Sequence, residues 1–466
     1  MNAEAGQPRW SKGGQEYGCV MNRSTEHNST AVPSAKQVEA GSVRDDWTWT
    51  KPWVWTDRML TALVTGVKGG QWFSLIDKVC KEETLYSAAR RVTARKHKAA
   101  GVDHVTPEKF AERLLDHVRQ LQAELRDGTY QPRPVRRTEI PKPGSRETRP
   151  LGIPTIRDRV VQTALRDVIE PIFERDFAEH SYGFRPARGC KVALRRVDGL
   201  LKAGYVYVVD ADLKSYFDTI PHDRLMTLIA KQISDGRVLA LIESFLQQGV
   251  MDGLREWTPE EGCPQGAVIS PLLSNIYLDP LDHLMAAAGF EMVRYADDFV
   301  ILCRTRDDAE RALALVQQWT AEAGLTLHPE KTHVAHAADD GFQFLGYHFT
   351  RGERFPRAKS LAKLKTTIRK KTRRKQRHGI ECTIQDVNTT LVGWFEYFKH
   401  VTKRYVFDDL DRFIRQRLRA ILKKQSKRPG IPKGPDFQRW PNAYFSRLKL
   451  FSLKTAHELA CQSSSR

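Results

Sequence analysis

Long apolar runs are missing from this chain. No uninterrupted stretch of about 20 apolar residues occurs, so no membrane span and no membrane partner are expected. The first forty residues are polar and lack the apolar segment of a secretory leader. Cysteines are few and scattered. Cys19, Cys80, Cys190, Cys263, Cys303, Cys382 and Cys461 are odd in number and never spaced C-x-x-C. That pattern argues against a disulfide framework and a structural zinc site, and points to a reducing cytoplasm. Acid is in deficit as well: 75 Lys plus Arg face 56 Asp plus Glu, a net charge of +19.

What is present is material for a core. Of 466 residues, 41% are hydrophobic and 9% aromatic, enough to exclude disorder throughout and to build about two to four domains. The positive charge is concentrated. Residues 351–440 hold 26 Lys/Arg against 8 Asp/Glu, so this stretch alone carries a net +18. Its densest part includes Lys363, Lys365, Arg369, Lys370, Lys371, Arg373, Arg374, Lys375 and Arg377, with no acid from Arg354 to Ile380. Leu361, Leu364 and Ile368 give it one helical apolar stripe. Cations crowded on the remaining faces repel one another unless a polyanion neutralises them, which points to nucleic acid.

The local patterns alternate unevenly. Residues 1–44 read as disordered. Trp47, Trp49, Trp53 and Trp55 fit either base stacking or an extended segment packed on the next helix. Helices are predicted over 57–67, 74–94, 107–126, 157–177, 221–233, 236–248 and 307–323, and through most of 358–429. Thr106 is the expected N-cap of the third, with Pro107 in its first turn. Strands are predicted over 135–141, 205–210, 326–334 and 342–349, with a strand–turn–strand over 291–303 and a turn at Lys142-Pro143-Gly144. Strands thus cluster between about 135 and 350, flanked by helices, which is an α+β pattern.

Two segments place acids inside apolar strands. One is Val208-Val209-Asp210-Ala211-Asp212-Leu213. The other runs from Val293 to Leu302 and is interrupted by Asp297-Asp298. Adjacent half-buried carboxylates repel, and a divalent cation resolves both costs. Hard Mg²⁺ prefers carboxylate and phosphate oxygens, and a pair of such ions serves phosphoryl transfer. An Asx-type hairpin turn is the other reading of Asp297-Asp298.

These residues carry a resemblance. Tyr295-Ala296-Asp297-Asp298 is similar to the signature hairpin of reverse transcriptases, and Asp212-Leu213-Lys214-Ser215-Tyr216-Phe217 resembles their first acidic block. Pro264-Gln265-Gly266 with Ser270-Pro271-Leu272 resembles the fourth block. The segment from Gly324 to Thr332 resembles the sixth, and Phe344-Leu345-Gly346-Tyr347 the seventh. Arg149-Pro150-Leu151-Gly152-Ile153-Pro154 and Ser181-Tyr182-Gly183-Phe184-Arg185-Pro186 look like the second block of group II intron enzymes. The Gly393-Trp394-Phe395 segment through Phe398, and Pro441-Asn442-Ala443-Tyr444-Phe445, look like their maturase part. The blocks follow family order over about 390 residues.

The resemblance implies a right-hand polymerase. Residues 1–45 would be a disordered extension, 46–200 an N-terminal extension and fingers, and 201–350 a palm with an antiparallel sheet. Residues 351–425 would be a helical thumb or maturase X domain, and 426–466 a basic segment able to bind target DNA. It implies that Asp212, Asp297 and Asp298 bind two Mg²⁺ ions, with the Leu213 carbonyl as a further ligand and Asp210 as the rival acid. Lys142 and Arg149 would clamp the triphosphate of the dNTP, Phe217 would exclude a ribose 2′-OH, and Gln265 and Gly266 would position the incoming nucleotide. Lys331 would protonate leaving pyrophosphate. Lys363, Lys365, Arg369, Lys370, Arg373, Arg374, Arg377, Lys399, Lys403 and Arg404 would contact nucleic acid, while Trp394, Tyr397 and Phe398 fit the thumb core better than a stacking platform. The implied partners are intron RNA, an RNA template paired to a DNA primer, dNTP and target DNA. Only His457 and Cys461 follow Trp440 among His and Cys, so an H-N-H endonuclease is not expected. Two rival readings are an RNA-binding splicing cofactor with a silent polymerase, and a reverse transcriptase serving antiviral defence or CRISPR adaptation.

Overall fold

The computed structural model describes residues 43–67, 69–94, 99–141, 148–350, 352–374 and 378–463. The expectations for residues 1–42, for part of the basic loop after residue 94, for the Lys142 turn, and for Lys375 and Arg377 lie outside these residues.

Eleven strands run along the described chain. They are β1 (Val135–Pro141), β2 (Thr148–Ile153), β3 (Tyr207–Asp212), β4 (Val250–Asp252), β5 (Arg255–Trp257), β6 (Glu291–Tyr295), β7 (Asp298–Cys303), β8 (His333–His336), β9 (Phe342–Phe344), β10 (Tyr347–Thr350) and β11 (Glu353–Pro356). The central sheet has the order β6-β7-β3-β8, with every neighbouring pair antiparallel. A second sheet, β2-β1-β4-β5, joins a long hairpin to a short one through a parallel β1–β4 contact. β9, β10 and β11 form a meander.

The central sheet is covered on both faces. Val209, Ala211, Phe299 and Ile301 point into one apolar core, built with helices Ile156–Glu174, Gly236–Leu246 and Ser270–Ala287. Val208, Val300 and Leu302 point into another, shared with helix Cys190–Lys202, the meander and the C-terminal helices. Burial on both faces explains why β3 and β7 are apolar at nearly every position rather than at alternate ones. It also explains why the acids at their ends are conspicuous.

Helix Ile156–Glu174 is buried around most of its circumference. Its N-cap Thr155 accepts from the Asp158 amide, and Asp158 in turn accepts from Tyr130 Oη and Thr155 Oγ1, each at 2.7 Å. A buried carboxylate is tolerated there because hydroxyls satisfy it. Three long helices, Ala358–Lys371, Ile380–Phe398 and Tyr405–Gln425, follow the meander, and shorter ones reach Ser463. Trp394, Tyr397 and Phe398 belong to this packing. The Trp394 and Phe398 rings pack at 4.6 Å, tilted by 32°, and the Tyr397 hydroxyl donates to the Leu345 carbonyl at 2.7 Å. Among the described residues no helix is long and apolar enough to cross a membrane.

Several elements depart from the sequence reading. The helix expected over 74–94 breaks at Cys80 and Lys81, and the one over 107–126 breaks at Arg113, whose φ of −126° is not helical. The strand expected over 326–334 shrinks to β8. Leu327 makes only a lone bridge to Leu213, because this segment turns to lie beside the end of β3. The strand over 342–349 folds into a hairpin at Leu345-Gly346, both with positive φ. The tryptophan segment is a short helix and turns. Trp55 is fully buried and donates Nε1 to the Asp167 carbonyl, while Trp53 stays exposed. Helices Cys190–Lys202 and Ser270–Ala287 and strands β2, β4, β5 and β11 were not foreseen.

Candidate active site

The two acidic segments meet. In the β3–β7 ladder Asp212 pairs directly with Asp298, while Asp210 lies two residues further in, opposite Val300. Residues two apart in a strand share a face, so Asp210, Asp212 and Asp298 project from the same side of the sheet. Tyr295 pairs with Asp298, leaving Ala296-Asp297 as a two-residue hairpin loop. Ala296 has φ +61°, where such loops usually carry glycine. Four carboxylates are thereby gathered at one end of the sheet.

Their electrostatics record the crowding. Burial, then Asp210, Asp297 and Asp212, push the Asp298 carboxyl up to about 7. Burial pushes Asp210 up to about 6, with Asp212 adding to it and His333 opposing it. Asp297 is raised by burial and by Asp212, against the pull of Arg149. Asp212 is already engaged by a cation: Lys331 Nζ lies 2.5 Å from its Oδ2. The Asp212 carbonyl accepts from the His328 amide at 2.7 Å, and the Thr326 carbonyl accepts from the Lys214 amide at 2.8 Å, which holds Lys331 beside Asp212. Leu213 is buried at this junction.

A divalent cation fits this donor set. Among the described residues no three His, Cys, Asp or Glu side chains close on one point tightly enough to hold an ion unaided. Mg²⁺ needs only one or two carboxylates when substrate phosphates supply the remaining oxygens. Crowded negative charge on half-buried acids is what such an ion would relieve.

Gly183 lies against the acidic loop. A Cβ there would overlap the Ala296 amide nitrogen and lie 2.8 Å from the Tyr295 carbonyl carbon. Only glycine lets the 181–186 segment lie against this turn. The sequence named that segment but not this reason for its glycine.

A cavity of about 320 Å³ is lined in part by Pro150, Gly152, Phe217, Asp218, Cys263 and Gln265, with none of the four clustered acids in its lining. Phe217 sits in the 3₁₀ turn Tyr216–Asp218, which Tyr216 anchors by donating its hydroxyl to the Ser274 carbonyl at 2.7 Å. The Gly152 amide donates to the Gln265 carbonyl at 2.7 Å, joining β2 to the 264–266 turn. Gly266 has φ +105°, and a Cβ there would lie 2.5 Å from the Gly152 carbonyl oxygen. Arg149 is exposed on β2 opposite Ile140, close enough to Asp297 and Asp218 to offset part of the rise that burial gives both carboxyls. Lys142 lies outside the described residues.

The basic surface is sorted by the structure into engaged and open cations. Lys365 and Arg369 lie over the Phe413 ring at 5.8 and 5.4 Å. Lys399 pairs with Glu396 at 3.1 Å, and Lys403 with Glu353 at 2.8 Å. Lys363, Lys370, Arg373, Arg374 and Arg404 are exposed. Arg417 is held below the usual arginine range by burial, then by Arg374 and Arg369. Lys191 and Arg195, on a helix the sequence reading missed, add to the positive field around His400, whose pKa is lowered by burial, Arg354, Lys399 and these two residues.

With this geometry in place, likeness to known proteins becomes informative. Residues 140–349 match the family described as reverse transcriptase (RNA-dependent DNA polymerase). Residues 361–440 match the group II intron, maturase-specific domain. Protein YkfC of Escherichia coli (strain K12) is 35% identical over 317 residues, covering 59% of this chain and 83% of YkfC. The chain belongs to the group II intron reverse transcriptase and maturase family. Group II intron-encoded protein LtrA of Lactococcus lactis subsp. cremoris is 41% identical over 182 residues, 39% of this chain and 30% of LtrA. A chain of a solved partial Cas6-RT-Cas1--Cas2 complex aligns at 25% identity over 56% of this chain and 43% of that one. Its TM-score of 0.35 is too low to bear on this chain's partners. The reverse transcriptase thus places its acidic hairpin within the matched polymerase region and most of its net positive charge within the matched maturase region, where 22 Lys/Arg face 7 Asp/Glu.

Proposed function

We propose that this reverse transcriptase copies intron RNA into DNA at the Asp212, Asp297 and Asp298 cluster, and that its basic helical part binds the same RNA to assist splicing and retrohoming. The pairing of Asp212 with Asp298 beside the Ala296-Asp297 turn is the observation that carries this reading. The hand-like division follows: fingers around the β1–β2 hairpin, a palm on the central sheet, and a thumb from the helices after residue 358. Asp212 and Asp297, with the Leu213 carbonyl, would hold two Mg²⁺ ions. When bound, these ions supply activation of the primer 3′-OH and stabilisation of the leaving pyrophosphate.

The chain's own residues do the rest. Arg149 and Lys142, seven residues apart in the sequence, bind the triphosphate of the dNTP, Arg149 through a fork matched to phosphate oxygens. Gln265 lines the cavity in which the incoming nucleotide sits, and Gly266 keeps the adjoining turn pressed against the Gly152 carbonyl. Lys331, already within hydrogen-bond distance of Asp212, can give a proton to departing pyrophosphate. The exposed cations of residues 363–374 and Arg404 track the RNA–DNA duplex through its backbone. The 426–466 segment is the candidate for target DNA. No disulfide joins cysteines among the described residues, which suits a reducing cytoplasm.

Extension of oligo(dT) on poly(rA) tests this reading. dTTP-dependent growth that stops on chelation of divalent ions supports it. Preserved intron splicing without extension would favour an RNA-binding maturase with a silent polymerase.

Two outcomes follow from the cavity and the charge. Phe217→Ala should raise incorporation of ribonucleotides relative to dNTPs by about tenfold or more, since a steric wall discriminates on that scale. Unchanged sugar selectivity in single-nucleotide insertion would remove Phe217 from this role. Replacing Arg369, Arg373 and Arg374 by Gln should make RNA affinity less steep in salt, by about two units of the log–log slope if each meets one phosphate. A titration whose slope stays constant would place the RNA elsewhere.

A further inference from the structure

Asp297 and Asp298 stand on a strained turn, and a buried cation grips that turn from below. Arg294, three residues before Asp297, is 0% exposed. An isolated guanidinium in such a place would be costly, so its partners are informative. Its Nε donates to the two Asp282 carboxylate oxygens at 2.8 and 2.9 Å, and Nη2 donates to Asp282 as well. Its Nη1 donates to Asn275 Oδ1 at 3.0 Å and to the Ala296 carbonyl at 2.9 Å. Asn275, also buried, donates Nδ2 to the Gly183 carbonyl at 2.8 Å.

The backbone of Arg294 joins the same network. Its amide donates to the His180 carbonyl at 3.0 Å, and its carbonyl accepts from the Tyr182 amide at 2.8 Å. Asn275 and Asp282 are seven residues apart on helix Ser270–Ala287, hence two turns apart on one face. One guanidinium therefore ties that helix, the 180–183 segment and the acidic hairpin together. Neutralising its charge requires Asp282 alone. The bond to the Ala296 carbonyl does something else: it fixes the peptide that follows a residue with φ +61°.

We propose that Arg294 is a positioning residue for nucleotidyl transfer, holding the Ala296 carbonyl so that the left-handed turn aims Asp297 and Asp298, with Asp282 and Asn275 locking the guanidinium. This rests on the reading that those acids carry the chemistry. A buried ion pair by itself is a weak stabiliser and can often be exchanged for apolar groups without loss of the fold. A role confined to the fold therefore leads to different results from a role in aiming the turn.

Two replacements separate these roles. Arg294→Lys keeps a charge opposite Asp282, but one ammonium cannot reach Asp282, Asn275 and the Ala296 carbonyl together. The pair Arg294→Met with Asp282→Leu removes both charges at once. Each is expected to keep the parental melting temperature within a few degrees and the parental RNA affinity. Each should lower kcat on poly(rA)/oligo(dT) by about 100-fold, the scale of a 1 Å displacement of reacting groups. KM for dTTP should stay within about threefold, the split expected when the reacting step and not ground-state binding is damaged. Mn²⁺ binding to the enzyme–primer–template complex, read from the free-ion electron paramagnetic resonance signal, should weaken about tenfold, as for loss of an orienting partner around a metal site.

Parental kcat and Mn²⁺ affinity in either folded variant would overturn the proposal. Should neither fold, Asn275→Ala leaves the Arg294–Asp282 pair in place and decides by the same two readouts. Asp297→Asn is run alongside. An active Asp297→Asn enzyme would mean that the acids are misassigned. An inactive one beside fully active Arg294 variants would remove only the role of Arg294.

Discussion

Asp297→Ala is expected to lower primer extension on poly(rA)/oligo(dT) at least about a thousandfold, equivalent to about 4 kcal/mol of transition-state stabilisation. Intron RNA affinity should remain within about twofold, because phosphate contacts made by distant cations dominate it. Stability should move the other way. Burial and the neighbouring Asp212 raise the Asp297 carboxyl above its ordinary range, so the ionised group destabilises the fold at neutral pH. Below the ordinary carboxylate range Asp297 is protonated in both folded and unfolded chains and contributes no difference. As pH rises past that range, the unfolded chain ionises first and the folded chain loses stability. The variant should therefore melt at the same temperature as the parent or higher at pH 7.5. Loss of activity with unchanged or improved stability marks a site built for chemistry rather than for the fold. An Asp297→Ala enzyme that extends primers normally would remove the loop from the mechanism.

Gly183→Ala carries the second large effect. Its Cβ would strike the backbone at Ala296 and Tyr295, where no flexible side chain can yield. Either the 181–186 segment or the acidic turn must move. A displacement of about 1 Å at reacting groups costs on the order of 100-fold in rate, and overpacking of this kind costs about 1–3 kcal/mol of stability. Steady-state kinetics and thermal melts are the checks. Gly199→Ala is the matched control. Gly199 lies in helix Cys190–Lys202, and a Cβ there meets nothing within 4 Å. Activity should be unchanged and stability higher by about 0.5–1 kcal/mol. Equal effects from the two substitutions would mean that proximity to Ala296 is irrelevant.

The parts of the site that are legible in the sequence are those whose chemistry conflicts with their surroundings. Asp212, Asp297 and Asp298 stand out because carboxylates interrupt apolar strands, and the basic stretch after residue 351 stands out because no acid relieves it over more than twenty residues. Periodicity located helix Arg306–Glu322 and the β6–β7 hairpin for the same reason. Arg294 was not legible. It looks like an ordinary strand residue with a solvated head, and its burial depends on Asp282 and Asn275 arriving from another element. Nor could local pattern show the turn at residues 328–332, where the His328 amide reaches the Asp212 carbonyl on a distant strand, or the hairpin at Leu345-Gly346, where an apolar run doubles back on itself as β9 and β10. The engaged state of Lys399 and Lys403 likewise depends on Glu396 and Glu353 being brought to the right places. Tyr397 reads as thumb core rather than a stacking platform, and its hydroxyl bound to the Leu345 carbonyl agrees with that reading.

The most direct measurement is anomalous diffraction from crystals of the enzyme with an RNA template, a DNA primer and dNTP, grown with Mn²⁺ in place of Mg²⁺. The account expects manganese density within about 2.5 Å of carboxylate oxygens of both Asp212 and Asp297, with triphosphate oxygens completing the shell. Nucleotide seated in the cavity beside Phe217 with manganese bound elsewhere, or with Asp212 and Asp297 both turned away from the metal, would contradict it.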